Sequence, residues 1–176
     1  MQTPQKPKQP LEEGQNTLYR GGYSVFDSPS YKQYQFGYFT KNKEKALGYS
    51  RHSRYNTNPD ALWSYKLRED TRLLSGQYLE RLLNRVEYTL QSYDPEKTPF
   101  KKDENNRWVR NSQDSETDHD FFQKIKKKVY DRGYQGIDMV DYQEVLIYDL
   151  SLVEEQFNRL TSSRVIQFNL PNELKF

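Results

Sequence analysis

The sequence predicts an α+β fold in which helices pack against mostly antiparallel sheet. Three observations predict it. Short alternating or apolar segments recur from Thr17 near the start to Leu170 near the end. Two longer segments between them, 76–92 and 119–132, carry apolar residues at helical spacing. No segment repeats another. The count is about six strands and three helices, with strands at both ends.

The elements follow in order. Residues 1–14 are polar, carry three prolines and Gly14, and are read as a flexible arm ahead of one domain at 15–176. Thr17 to Tyr23 is a strand, because Leu18, Arg20 and Gly22 alternate with Thr17, Tyr19, Gly21 and Tyr23. Asp27-Ser28-Pro29-Ser30 is a turn cluster. Phe36 to Thr40 is a second short strand. Lys43, Ala46, Leu47 and Tyr49-Ser50 then fit one helix face, with Asn42 as the N-cap. Arg51 to Asp60 is a polar loop, and Ala61 to Leu67 alternates as a strand.

Residues 76–92 form the clearest helix, with Leu79, Leu82, Leu83, Val86 and Leu90 in one stripe. Residues 92–118 read as a long polar insertion, with Trp108-Val109 its only anchor. Asp118 or His119 opens the next helix, which turns Phe121, Phe122, Ile125, Val129 and Tyr130 inward and ends at Gly133. Lys124 to Lys128 puts its charges on the wet face of that helix. Ile137–Val140 and Glu144–Asp149 are strands joined by a tight turn at Asp141-Tyr142-Gln143. Residues 152–160 read as a short helix. Val165–Leu170 is a final strand, stopped by Pro171.

Composition narrows the function. At 176 residues the chain has the length of one domain. Leu, Ile, Val and Phe together supply only 38 residues, so the aliphatic core is thin, and the 15 Tyr, 9 Phe and 2 Trp must supply much of the buried area. No apolar run reaches a membrane span, and MQTPQKPKQP lacks the apolar stretch of a signal peptide. A soluble, intracellular-type protein is the expectation. The absence of cysteine excludes disulfides, thiolate metal sites and cysteine nucleophiles. His52 and His119 form no local metal motif and have no triad signature around them. A net charge of +2 does not itself argue for a nucleic-acid partner.

Three segments carry candidate chemistry: Tyr19-Arg20-Gly21, then Gly37-Tyr38-Phe39-Thr40 with Tyr49 in the helix behind it, then Tyr142-Gln143-Glu144 opening an apolar strand. Strand interiors disfavour Glu, so Glu144 lies at an exposed end or points into a cleft. Arg20 offers a fork that suits phosphate or carboxylate, and the adjacent glycines let backbone approach a ligand. Tyr38 and Tyr49 are 11 residues apart across a strand-to-helix junction, which suits two walls of one slot. Such a set fits a flat cation joined to a sugar and phosphates. The rings hold the cation, Arg20 binds anionic oxygens, and Glu144 faces the sugar carbon where positive charge develops. Taken singly, Arg20 also fits a surface ion pair, the two tyrosines core-edge packing and Glu144 an ordinary strand start. Asp138 and Asp141 read as turn or strand-edge residues, with Asp141 a candidate second carboxylate.

In this order the segments resemble the catalytic core of ADP-ribosyltransferases of the poly(ADP-ribose) polymerase and diphtheria-toxin type, over about residues 17–170. The resemblance implies split antiparallel β-sheets with flanking helices and NAD as co-substrate. It makes Glu144 the catalytic residue and Arg20, Gly21, Tyr38, Thr40 and Tyr49 the NAD-binding residues, with no metal. Arg20 stands where polymerase-type members carry His. Tyr38-Phe39-Thr40 and Tyr142 stand where arginine-modifying toxins carry Ser-Thr-Ser and an acid or amide. The implied activity is therefore mono-ADP-ribosyl transfer to a protein or nucleic-acid acceptor, as in a bacterial or phage toxin or effector acting in its own or a host cytoplasm. The alternatives on the same fold are an NAD glycohydrolase and a non-catalytic nucleotide- or partner-binding module.

Overall fold

The computed structural model describes residues 16–52, 62–111 and 114–156. In chain order the elements are β1 (Thr17–Gly21), a 3-10 turn (Val25–Asp27), α1 (Pro29–Tyr34), β2 (Gly37–Phe39), α2 (Lys43–His52), β3 (Leu62–Leu67) and β4 (Leu73–Leu74). Then come α3 (Gly76–Arg85), α4 (Glu87–Gln91), β5 (Phe100–Lys102), β6 (Trp108–Arg110), α5 (Ser115–Asp131) and β7 (Gly136–Met139). A second 3-10 turn (Val140–Tyr142), β8 (Glu144–Ile147), a third 3-10 turn (Leu150–Leu152) and β9 (Val153–Gln156) complete them. The mixed α+β class holds. The described residues fall into two compact units.

The first unit contains the described residues among 16–23, 41–71 and 151–156. Its sheet has the order β1-β3-β9, antiparallel throughout, with Arg20 opposite Trp63 and Lys66 opposite Glu154. Helix α2 packs on β1. Asn42 caps that helix as expected, accepting from the Lys45 N–H at 3.0 Å. Leu18, Ala46, Leu62, Tyr65 and Leu67 are buried here. The short helix expected at 152–160 is instead β9 over Val153–Gln156. Its backbone pairs with β3, so a long-range ladder overrides the local pattern.

The second unit contains the described residues of 24–40 and 72–150. Its sheet has the order β2-β8-β7-β4. Pairings β2/β8 and β8/β7 are antiparallel, while the two-residue β4, which the sequence pattern does not reveal, runs parallel to β7. One core joins this sheet to α3 and α5 through Leu74, Leu82, Leu83, Phe121, Phe122, Ile125, Ile137 and Leu146.

Several local readings change. The turn cluster at 27–30 is a helix start, because the Ser28 hydroxyl caps α1 by accepting from the Tyr31 N–H and Pro29 occupies its first turn. The helix expected over 76–92 breaks at Val86 into α3 and α4, yet its whole apolar stripe is buried. The long loop at 92–118 contains a hairpin. Phe100 pairs with Arg110, and Asp103 closes the turn by accepting from the Asn105 and Arg107 N–H groups, both at 2.9 Å. Helix α5 opens at Ser115, earlier than Asp118, because Asp114 caps it through the Thr117 N–H. It ends at Gly133, φ +84°, with the Gly133 and Tyr134 N–H groups donating to the Tyr130 and Val129 carbonyls. Tyr130 is exposed, not inward, and Asp138 is buried, not at a strand edge. The arm at 1–14, the end of the polar loop at 53–60 and the strand at 165–170 lie outside the described residues.

Candidate active site

Glu144 is the first residue of β8, and Gln143 before it holds a left-handed backbone, φ +54°, that turns the chain out of the 3-10 turn. The β2/β8 register pairs Tyr38 with Leu146 and Phe39 with Val145, so its continuation sets Thr40 opposite Glu144. Side chains alternate across a sheet, so Tyr38, Thr40 and Glu144 share one face. Thr40 is buried and Tyr38 half-buried.

The Glu144 carboxylate is held by Arg110, the last residue of β6. The guanidinium donates to Glu144 Oε1 from Nε at 3.0 Å and from Nη2 at 2.8 Å. Both bonds land on one oxygen, and Oε2 receives neither. Nη2 also donates to Asp118 Oδ2 at 3.0 Å, and Nη1 donates to the Pro99 carbonyl at 3.2 Å. Phe100 and Phe122 flank the guanidinium, with ring centres 5.2 and 5.6 Å away. The three side chains are 3% (Arg110), 8% (Asp118) and 14% (Glu144) exposed, so water screens their charges little.

Burial sets the electrostatics of this cluster. It pushes the Asp118 carboxyl up to about 6 even though Arg110 pulls it down, and the neighbouring Glu144 charge adds to the rise. Burial alone would lower the Arg110 guanidinium, but the two carboxylates outweigh it and raise its pKa. Tyr38 is pushed well above its ordinary value by burial, then by the charges of Asp118 and Glu144. Burial lowers His119. The His119 ring lies 5.4 Å from that of Tyr38 and 5.1 Å from that of Tyr34. Phe36 and Phe122 meet Tyr38 edge-on at 5.5 and 6.1 Å. Tyr38 therefore sits at the edge of an aromatic cluster.

Tyr142 has a defined role here. Its hydroxyl accepts from the Arg110 backbone N–H at 2.7 Å, which fastens the turn before Glu144 to β6. Asp141 is exposed, and the second carboxylate beside Glu144 is Asp118.

No family model, curated protein or solved structure matches this chain.

The remaining candidates belong to the first unit. Arg20 is half-buried on β1, and its Nε donates to the Tyr23 carbonyl at 3.2 Å. Burial lowers its pKa, with Tyr65 acting the other way. Gly21 pairs with Leu62. Tyr49 on α2 is 44% exposed, with the Lys45 ammonium 5.8 Å from its ring centre. Among the described residues no group of acidic or histidine side chains is arranged to hold a metal, and no helix is long and apolar enough to cross a membrane.

The sequence reading missed Arg110, Asp118 and His119. A signal for the first was present. Phe100-Lys101-Lys102 and Trp108-Val109-Arg110 flank a five-residue turn rich in Asp and Asn, which is a hairpin pattern. Asp118 could be placed only through the cap at Asp114, which sets it in the first turn of α5.

Proposed function

We propose that this chain is an NAD-dependent mono-ADP-ribosyltransferase with Glu144 as its catalytic residue. One observation carries the reading: the Glu144 carboxylate is partly exposed at a strand start, shares a sheet face with Tyr38 and Thr40, and among the described residues is bonded through Oε1 alone. An antiparallel three-stranded sheet in one unit and a mainly antiparallel four-stranded sheet in the other also support it. In the reaction Glu144 Oε2 accepts a hydrogen bond from the nicotinamide-side ribose. The glycosidic bond breaks with its electron pair leaving on nicotinamide, and the carboxylate stabilises the cationic sugar. An acceptor nucleophile on a protein or nucleic acid then bonds to the anomeric carbon and gives up its proton. Tyr38 and Thr40 are assigned to the nicotinamide side. Arg20, Gly21 and Tyr49 are assigned to the dinucleotide on the strength of the sequence resemblance.

A second reading, a module that binds a nucleotide or partner without turnover, is favoured by the Arg110 bonds, which offset the charge of Glu144. Nicotinamide release from NAD by the pure protein separates the two. Turnover that falls at least about a hundredfold in Glu144→Gln with little change in NAD affinity supports the transferase. No release by the wild type, with NAD still bound, supports the module. Mass analysis of proteins and nucleic acids after reaction separates transfer from hydrolysis.

A further inference from the structure

We propose that Asp118 is a positioning residue for the Glu144 reaction: acting through Arg110, it returns to the site the negative charge that the Glu144–Arg110 pair cancels. The inference rests on the reading that Glu144 faces a cationic ribose. Such a cation needs net negative charge beside it. Glu144 paired with Arg110 is neutral as a unit. With Asp118 ionised on the same guanidinium, the three groups carry one net negative charge. Arg110 cannot swing away to expose Glu144, since Phe100 and Phe122 flank it and the Pro99 carbonyl holds Nη1.

The hydrogen bonding shows why a carboxylate matters at position 118. Asp118 accepts one bond, from Arg110 Nη2 to Oδ2 at 3.0 Å. Its other oxygen, Oδ1, is buried and takes no hydrogen bond among the described residues. An amide oxygen could accept that single bond equally well. What the carboxylate adds over an amide is charge, held at the cost of desolvating it. The titratable groups around it are Arg110 from β6, Glu144 from β8, Tyr38 from β2, Asp114 at the cap of α5 and His119 from α5 itself. Because burial raises the Asp118 carboxyl to about 6, its charge is present above that pH and lost below it. Activity therefore rises as pH increases through that value.

The test measures nicotinamide release from NAD by the full chain, comparing wild type, Asp118→Asn and His119→Gln between about pH 5 and 8, the range on either side of the Asp118 ionisation. Asp118→Asn is expected to lower kcat about tenfold at pH 7.5, leave KM for NAD within about threefold, and flatten the acid limb. His119→Gln is expected to keep that limb. An Asp118→Asn protein with wild-type kcat, or with the limb intact, overturns the proposal. A second measurement needs neither activity nor a stable variant. Carbon-13 titration of the wild-type carboxyls should show the Glu144 signal following the ionisation of Asp118, and independent titration overturns the inference at any activity. A wild type that releases no nicotinamide but shows coupled titration sinks the transferase reading and supports the shared charge.

Discussion

Arg110 and Glu144 lie 34 residues apart in sequence and 2.8 Å apart in the fold. The guanidinium that spans them also holds Asp118, so one cation serves one buried and one part-buried carboxylate. Removing the cation is therefore worse than losing a bond, since two charges are left in a poorly screened place. Arg110→Met is expected to destabilise the protein by about 3–5 kcal/mol, measured by urea unfolding at pH 7.5. The same change in an Asp118→Asn/Glu144→Gln background should cost less than half as much. Equal costs in the two backgrounds would mean that packing, not charge, holds Arg110 in place.

Asp118 should leave its mark on stability as well. Its pKa in the folded chain, about 6, lies above the ordinary 3.8. A carboxyl raised on folding contributes stability that is fully present below 3.8 and lost as pH rises through about 6. The gap corresponds to roughly 3 kcal/mol as an upper figure. His119 works the other way, because burial lowers it and its contribution is lost as pH falls. Comparison with Asp118→Asn removes the His119 effect. Wild type should lose stability relative to Asp118→Asn between pH 4 and 7.5, read as diverging urea midpoints. A constant difference across that range would refute the raised value.

Tyr142 offers a narrower test. Its hydroxyl accepts from the Arg110 N–H at 2.7 Å. Tyr142→Phe keeps the ring and leaves that donor without its acceptor, so a loss of about 1–3 kcal/mol is expected. The same substitution should lower nicotinamide turnover, because the turn before Glu144 loses its tie to β6. Unchanged stability with reduced turnover would point instead to a direct role of the hydroxyl.

The sequence made some of this legible, for local reasons. Asn42 caps α2 and Gly133 stops α5 because caps and left-handed stops depend on one or two residues and their immediate neighbours. The strand that begins at Glu144 and, Tyr130 apart, the pattern of buried residues on α5 were legible for the same reason. The ion cluster was not. It needs β6, α5 and β8 in contact, and the partners of Arg110, Asp118 and Glu144 each lie in another of the three segments. β9 was misread because its pairing with β3 reaches across about ninety residues, and no local pattern records such a pairing. Val86 ends α3 at a position where the apolar stripe continues unbroken, so periodicity alone gave no stop signal.

Two glycines should respond to alanine with opposite signs. Gly136 lies in β7 between β4 and β8, opposite both Leu73 and Ile147. A Cβ there would stand 2.3 Å from the Leu146 carbonyl oxygen and 2.9 Å from Leu73 Cδ2. The first of these is backbone in a paired strand and cannot yield without breaking the ladder that positions Glu144. Gly136→Ala is expected to cost about 1–3 kcal/mol or more, the range for overpacking a filled interior. Gly48 lies in the interior of α2, where a Cβ would meet nothing within 4 Å and the backbone φ is not positive. Gly48→Ala should therefore gain about 0.5–1 kcal/mol, because alanine loses less backbone freedom in a helix. Thermal unfolding of the two variants decides both. A stabilised Gly136→Ala would mean that β7 and β8 do not approach as closely as the sheet requires, and with that the placement of Glu144 opposite Met139 would fall.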